Sequence, residues 1–149
     1  MIRKARIADA KDIHKLVNAF AARNAMLPRA LSTIYENIRD FYVAEEDNRV
    51  VGCCALHVMW GDLGEVKSLA VEEGTQGKGY GRLLVEACLQ DARDLGLPKV
   101  FALTYVPGFF EKLGFAPVDK STLPHKIWSE CINCPKFPDC GEEAVTIKL

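Results

Sequence analysis

Net charge is nearly absent from this chain: 19 Lys and Arg face 20 Asp and Glu, a balance of −1 with histidine neutral. A protein that grips nucleic acid neutralises phosphates with a basic surface, so nucleic acid is excluded as the main partner. Long apolar runs are also missing, and the amino-terminal MIRKARIADAKDIHK has no hydrophobic stretch of secretory-leader length. Neither a membrane partner nor export is expected, and the cytoplasm is the expected location. Six cysteines in 149 residues are too few for a disulfide scaffold. In a reducing compartment they read as free thiols or metal ligands. Repeats and low-complexity tracts are absent too. With 49% hydrophobic and 26% charged residues, the composition is that of an ordinary globular chain, and residues 1–149 fit one domain with a hydrophobic core of its own.

Periodicity supplies the elements. Ile2 to Ile7 reads as a first strand, and Asp9 offers an N-cap to a helix with Ile13, Leu16, Val17 and Phe20 on one face. Pro28 interrupts. Thr33 with Glu36 fits a capping box, ahead of a shorter apolar face at Ile34, Ile38 and Phe41. Phe41 to Glu45 and Arg49 to Trp60 are strands joined by a hairpin at Asp47-Asn48, and Gly61-Asp62 turns into a strand from Glu65 to Val71. A helix from Gly81 to Asp94 presents Leu83, Leu84, Ala87, Cys88 and Ala92, and Gly96 with Pro98 ends it. Lys99 to Thr104 is a short strand, Phe109 to Leu113 allows little more than one helical turn, Gly114-Phe115 opens another strand, and Ala144 to Leu149 alternates as the last. Helices on the faces of a mixed sheet make the expected fold α/β, of the α+β kind.

Between the Glu65 strand and the following helix lies TQGKGYGR. Glycines 77, 79 and 81 let successive N–H groups turn toward one anion, and the helix start adds its unpaired N–H groups and the positive end of its dipole. The spacing is neither that of a dinucleotide fingerprint nor that of a P-loop. It is Q-x-x-G-x-G at Gln76, Gly79 and Gly81, directly after Leu69-Ala70-Val71.

That segment resembles the acetyl-CoA-binding segment of the GNAT N-acetyltransferases, and GFFEKLGF over 108–115 resembles a second GNAT stretch. The runs LPRALSTIYENIRDFYVAEED and GCCALHVMWGDLGEVKSLAV, with the pattern across 103–115, are similar to the acetyltransferase domain of N-acetylglutamate synthases, in particular the short single-domain form. The resemblance implies a largely antiparallel sheet flanked by helices and acetyl-CoA as co-substrate. It implies that the strand carrying Leu69 and Val71 pairs with the pantetheine arm while Gln76, Gly77, Lys78, Gly79, Gly81 and Arg82 hold the pyrophosphate. The implied reaction moves acetyl to the α-amine of glutamate or a related amino acid by direct attack, the entry to arginine synthesis.

Glu65 and Lys67 are two apart on one strand and so share a face. The pair reads either as an ion pair or as a general base beside a cation for a substrate carboxylate; the resemblance, in which a Glu here is a frequent base, favours the second. A dicarboxylate acceptor calls for cations, and Arg29 and Lys67 are the first choices, with Arg23 and Lys126 behind them. In the family a Tyr often protonates the leaving thiolate. Here Phe110 stands in that place, and Tyr105 is the nearest substitute. His57, Cys53, Cys54 and Cys88 read as core residues.

The segment 123–143 is rich in Cys and Pro, with Cys131, Cys134 and Cys140 downstream of His125. Zinc, reduced thiols and a disulfide are all open there. The spacing matches no two-plus-two zinc arrangement, so no metal is assigned. It is open whether the segment covers the site, contributes to a homodimer or only lengthens a hairpin. Two other functions stay open: acetylation of another small amine or a peptide, and a non-catalytic module that senses acetyl-CoA.

Overall fold

The computed structural model describes residues 1–22, 29–123 and 142–149. Seven strands form one sheet in the order β1-β2-β3-β4-β5-β7-β6. They are β1 (Ile2–Lys4), β2 (Phe41–Glu46), β3 (Arg49–Trp60), β4 (Leu63–Val71), β5 (Lys99–Thr104), β6 (Ala116–Val118) and β7 (Glu143–Lys148). The helices are α1 (Ala10–Ala22), α2 (Leu31–Glu36), α3 (Tyr80–Leu95) and α4 (Pro107–Glu111). No helix among the described residues is long and apolar enough to cross a membrane.

The expected antiparallel meander is present as β2-β3-β4. At its first turn Asp47 and Asn48 both take positive φ, 53° and 62°. This is the backbone a two-residue hairpin needs, and one that Asp and Asn tolerate. β4 and β5 alone run parallel, and a parallel pair requires a crossover, here α3. Leu84, Val85, Cys88, Leu89 and Ala92 of α3 pack on one sheet face with Val51, Cys54, Leu56 and Val66. Ile13, Val17 and Ile34 of α1 and α2 cover the other face, over Phe41, Val43, Cys53, Ala55 and Ala70.

Several sequence expectations are corrected. The first strand stops at Lys4, because Ile7–Asp9 form a 3-10 turn. Asp9 closes that turn by accepting from the Arg6 backbone N–H at 2.7 Å, and the Arg3 guanidinium donates to both its oxygens at 2.8 and 3.0 Å. Thr33 does not cap α2; Ala30 holds the N-cap position, so Thr33 lies inside the helix. The buried stripe of α3 is turned relative to expectation: Val85 and Leu89 are buried, whereas Leu83 is exposed. Gly96, at φ 84°, ends α3 as anticipated. Pro28 lies outside the described residues.

The Arg3 fork, and after it the Arg6 N–H, hold the Asp9 carboxyl below the usual carboxylate range against the opposing effect of burial. A carboxylate with a depressed native pKa contributes stability above its unfolded pKa and loses it as pH falls. Asp9→Asn should lower unfolding free energy by about 1–3 kcal/mol at neutral pH, the worth of hydrogen bonds to a charged group. In urea titrations the gap from wild type should close as the pH falls below about 4, near the unfolded Asp pKa.

Candidate active site

β4 and β5 are registered at Gly64↔Val100 and Glu65↔Phe101 only, although β4 continues to Val71 and β5 to Thr104. Past Glu65 the two strands are no longer paired, which leaves that edge of β4 without β5 as a partner for its backbone groups. A bulge lies on that same stretch of β4. The pairing with β3 shifts between Cys53 and Ala55, and Ser68 takes φ +56°, a left-handed conformation uncommon for a side-chain-bearing residue. The bulge corrects the strict alternation expected along the strand. Glu65 and Lys67 share a face, but Leu69 lies on the other one: Val66, Leu69 and Val71 pack toward α3, and Ala70 packs toward α1 and α2.

Two buried thiols meet this bulge from β3. Cys53 donates to the Ser68 carbonyl (3.4 Å) and Cys54 to the Lys67 carbonyl (3.7 Å). Burial pushes the Cys53 thiol up to about 12, and a hydrogen bond with Cys88, then burial, raises Cys54 well above its usual value. Both therefore stay protonated donors, and all three cysteines are core residues as expected.

After β4 the chain makes a 3-10 turn over Glu73–Thr75 and enters the glycine loop. Gln76 Nε2 donates to the Val71 carbonyl (3.0 Å), tying the loop to the strand end. Gly77 and Gly79 have φ of +90° and +83°. Gly81 serves differently, since a Cβ there would stand 3.3 Å from the Phe109 ring. Lys78 Nζ reaches Glu46 (3.0 Å), Tyr80 Oη donates to the same carboxylate (2.7 Å), and Arg82 pairs with Glu86 (3.0 Å). The side chains of Lys78 and Arg82 are thus held by carboxylates, and the groups left to meet an anion here are backbone N–H groups, of which the first turn of a helix such as α3 has unpaired ones.

Beside the bulge, under α2, is a cavity of about 140 Å³ lined by polar groups from four elements. Arg29, just ahead of α2, and Lys67 on β4 supply cations; Thr33, Asn37, Asp40, His57 and Ser68 supply the other polar groups. Asn18 on α1 fixes Arg29, accepting from its backbone N–H (3.2 Å) and donating to its carbonyl (3.1 Å). Glu65 is only 6% exposed and is not a wall of this cavity. It lies 4.0 Å from Lys67 and directly opposite His57 on β3.

His57 is hydrogen-bonded, as expected of a core histidine, but it is not in the core. Its Nδ1 lies 2.7 Å from Asp40 Oδ2, and its side chain is 38% exposed at the cavity. Asp40 and Asn18 are the polar residues that sequence reading missed; neither stands in a motif, and each matters only through its contact. Tyr105 follows the end of β5, four residues past the partner of Glu65, and does not line the cavity. Phe110 is buried, edge-on to Phe109 and Phe115 with 5.2 Å between centroids, so that position has an apolar packing role. Arg23, His125, Lys126, Cys131, Cys134 and Cys140 lie outside the described residues.

A split sheet with a glycine loop at the helix start after its central strand defines a class, the acetyltransferases that take acetyl-CoA as co-substrate. Residues 12–115 match the model of the acetyltransferase (GNAT) family, and the chain belongs to that family. It is 42% identical over 99% of its length to an uncharacterized N-acetyltransferase of Chlorobaculum tepidum, covering 96% of that protein. It is 39% identical over 87% of its length to the amino-acid acetyltransferase of Mycobacterium tuberculosis, covering 76% of that one. The fold superposes over the whole chain on 35% of N-acetylglutamate synthase from Neisseria gonorrhoeae, solved with coenzyme A and N-acetyl-glutamate, with a TM-score of 0.91 at 26% identity, and on 99% of a Mycobacterium tuberculosis protein solved with CoA, with a TM-score of 0.87 at 33% identity.

Nothing within 4 Å would obstruct a Cβ at Gly79, so the cost of a side chain there is one of backbone strain. Gly79→Ala should cost about 1–2 kcal/mol, the left-handed penalty. Titration calorimetry should show acetyl-CoA bound about tenfold more weakly, since 1.4 kcal/mol is a factor of ten, with helix content unchanged.

Proposed function

We propose that this enzyme acetylates the α-amine of glutamate or a related amino acid, by direct attack on acetyl-CoA in a ternary complex. The observation that carries the reading is the cavity itself. Two cations from separate elements, Arg29 and Lys67, converge on its wall beside the β4 bulge. Arg offers a planar fork and Lys a point charge, the combination suited to carboxylate groups. A dedicated amine pocket at the open wedge would place the nucleophile against the thioester, where proximity supplies much of the rate. The amino-acid acetyltransferase and N-acetylglutamate synthase names of the relatives support the same acceptor class. In this reading the enzyme works in the cytoplasm at the entry to arginine synthesis.

The pantetheine arm then pairs with the β4 edge at Leu69 and Val71, and the N–H groups over 76–82 hold the pyrophosphate. Glu65, buried beside the cavity, balances Lys67, and its charge draws in the acceptor's ammonium group. Tyr105, at the far side of the wedge, is the nearest hydroxyl to protonate the thiolate in place of the Tyr that Phe110 replaces.

Release of CoA thiol from acetyl-CoA should be confined, within a panel of amino acids and polyamines, to glutamate or its near relatives. Lys67→Ala should raise the KM for that acceptor by about 10- to 100-fold, the worth of one charged hydrogen bond, with acetyl-CoA affinity unchanged. An unaltered KM in the variant would remove Lys67 from acceptor binding. Turnover of polyamines but no amino acid would remove the carboxylate reading as a whole.

A further inference from the structure

An amine acceptor arrives as an ammonium ion and must lose a proton before it can attack. Among the described residues that line the cavity, only His57 and Asp40 can accept a proton at neutral pH, and the two are joined by a 2.7 Å hydrogen bond. Glu65 is a carboxylate too, but it is only 6% exposed, does not line the cavity and lies 4.0 Å from Lys67. We infer that His57, oriented by Asp40, is the general base that takes the proton from the acceptor amine.

An ionised carboxylate can only accept, so Asp40 Oδ2 fixes the His57 proton on Nδ1 and leaves Nε2 as the ring's lone pair. Asp40 comes from the 3-10 turn Ile38–Asp40, immediately before β2, which ties the pair to the sheet. The charged groups around His57 are Asp40 on that turn, Glu65 and Lys67 on β4, and Arg29 ahead of α2.

The step balances. One N–H bond of the ammonium breaks, and its proton moves to Nε2, giving imidazolium against Asp40. The freed nitrogen lone pair attacks the thioester carbonyl, the C–N bond forms and the C–S bond breaks. A second proton, lost from nitrogen as the adduct collapses, replaces the one that Tyr105 gives the departing thiolate, and His57 returns its own proton to solvent. The net products are the amide, CoA thiol and one released proton.

The inference rests on the cavity being the acceptor site, and the test separates the two. Thiol release by the full chain from acetyl-CoA and L-glutamate, or whichever amine the wild type acetylates, is followed with pH through about 5 to 8, where imidazole changes charge, and on into alkali. His57→Gln should lower kcat/KM at neutral pH by about 100-fold or more, the usual scale of general base catalysis. Acetyl-CoA binding should not change, the deficit should close in alkali as free amine becomes abundant, and added imidazole should restore part of the rate. Asp40→Asn should retain more activity, and its ascending limb should move to lower pH because the imidazolium has lost its carboxylate. A His57→Gln deficit that is equal at every pH and insensitive to imidazole overturns the assignment, as does loss of the ascending limb in Glu65→Gln with His57→Gln normal. If His57→Gln fails to bind acetyl-CoA, the direction of the Asp40→Asn shift decides. A non-amino-acid acceptor with the same His57 profile removes the glutamate reading alone, and a wild type that acetylates no amine overturns both.

Discussion

One backbone irregularity organises this molecule: the bulge at Ser68, placed just where β4 parts from β5. A flat, fully paired β4 would present its backbone groups to two neighbouring strands and have nothing left for a ligand. Separation from β5 exposes one edge, and the bulge turns the strand so that Lys67 and Ser68 enter a cavity while Leu69 rejoins the core on the opposite side. Holding a serine in a left-handed conformation has a cost, which the surrounding structure must offset. The paired thiols of Cys53 and Cys54, one on each face of β3, contribute by donating to the two bulge carbonyls.

Function is layered on that point from both sides. Toward α3, the glycine loop and the helix start gather N–H donors for an anion, while Gln76 ties the loop to the last carbonyl of β4. Toward α1 and α2, the cavity gathers two cations, one carboxylate and an imidazole. Neither half needs a side chain on the exposed strand edge. In the proposed reading the acetyl donor is recognised through backbone and the acceptor through side chains, which leaves the acceptor pocket free to differ among members of one family.

Much of the scaffold was legible in the sequence. A run of strand-forming residues marked β3 from Arg49 to Trp60, Asp47-Asn48 marked its hairpin, and Gly96 marked the end of α3, the last two because a local steric rule leaves few alternatives. The glycine loop was legible for the same reason: Gly77 and Gly79 do adopt conformations open to few other residues. Local rules misled where a residue had a stronger distant partner. Asp9 does stand immediately before α1, but its carboxylate is taken up by the Arg3 fork and the Arg6 N–H, and Thr33 looked like a cap although the helix had already begun at Leu31.

The sequence by itself determined the elements, the anion-binding loop and the family, because those depend on torsions and contacts among near neighbours in the chain. The tertiary structure decided the polar cavity beside the bulge. Counting outward from the Gly61-Asp62 turn does not place His57 opposite Glu65, because the β3–β4 register shifts on the way. Nor does any spacing place Asp40 against His57, Asn18 on the Arg29 backbone, or Leu69 across the sheet from Lys67. Those pairings follow from how the bulge, the sheet twist and the packing of α1 and α2 are satisfied together, and no short window of sequence carries that information.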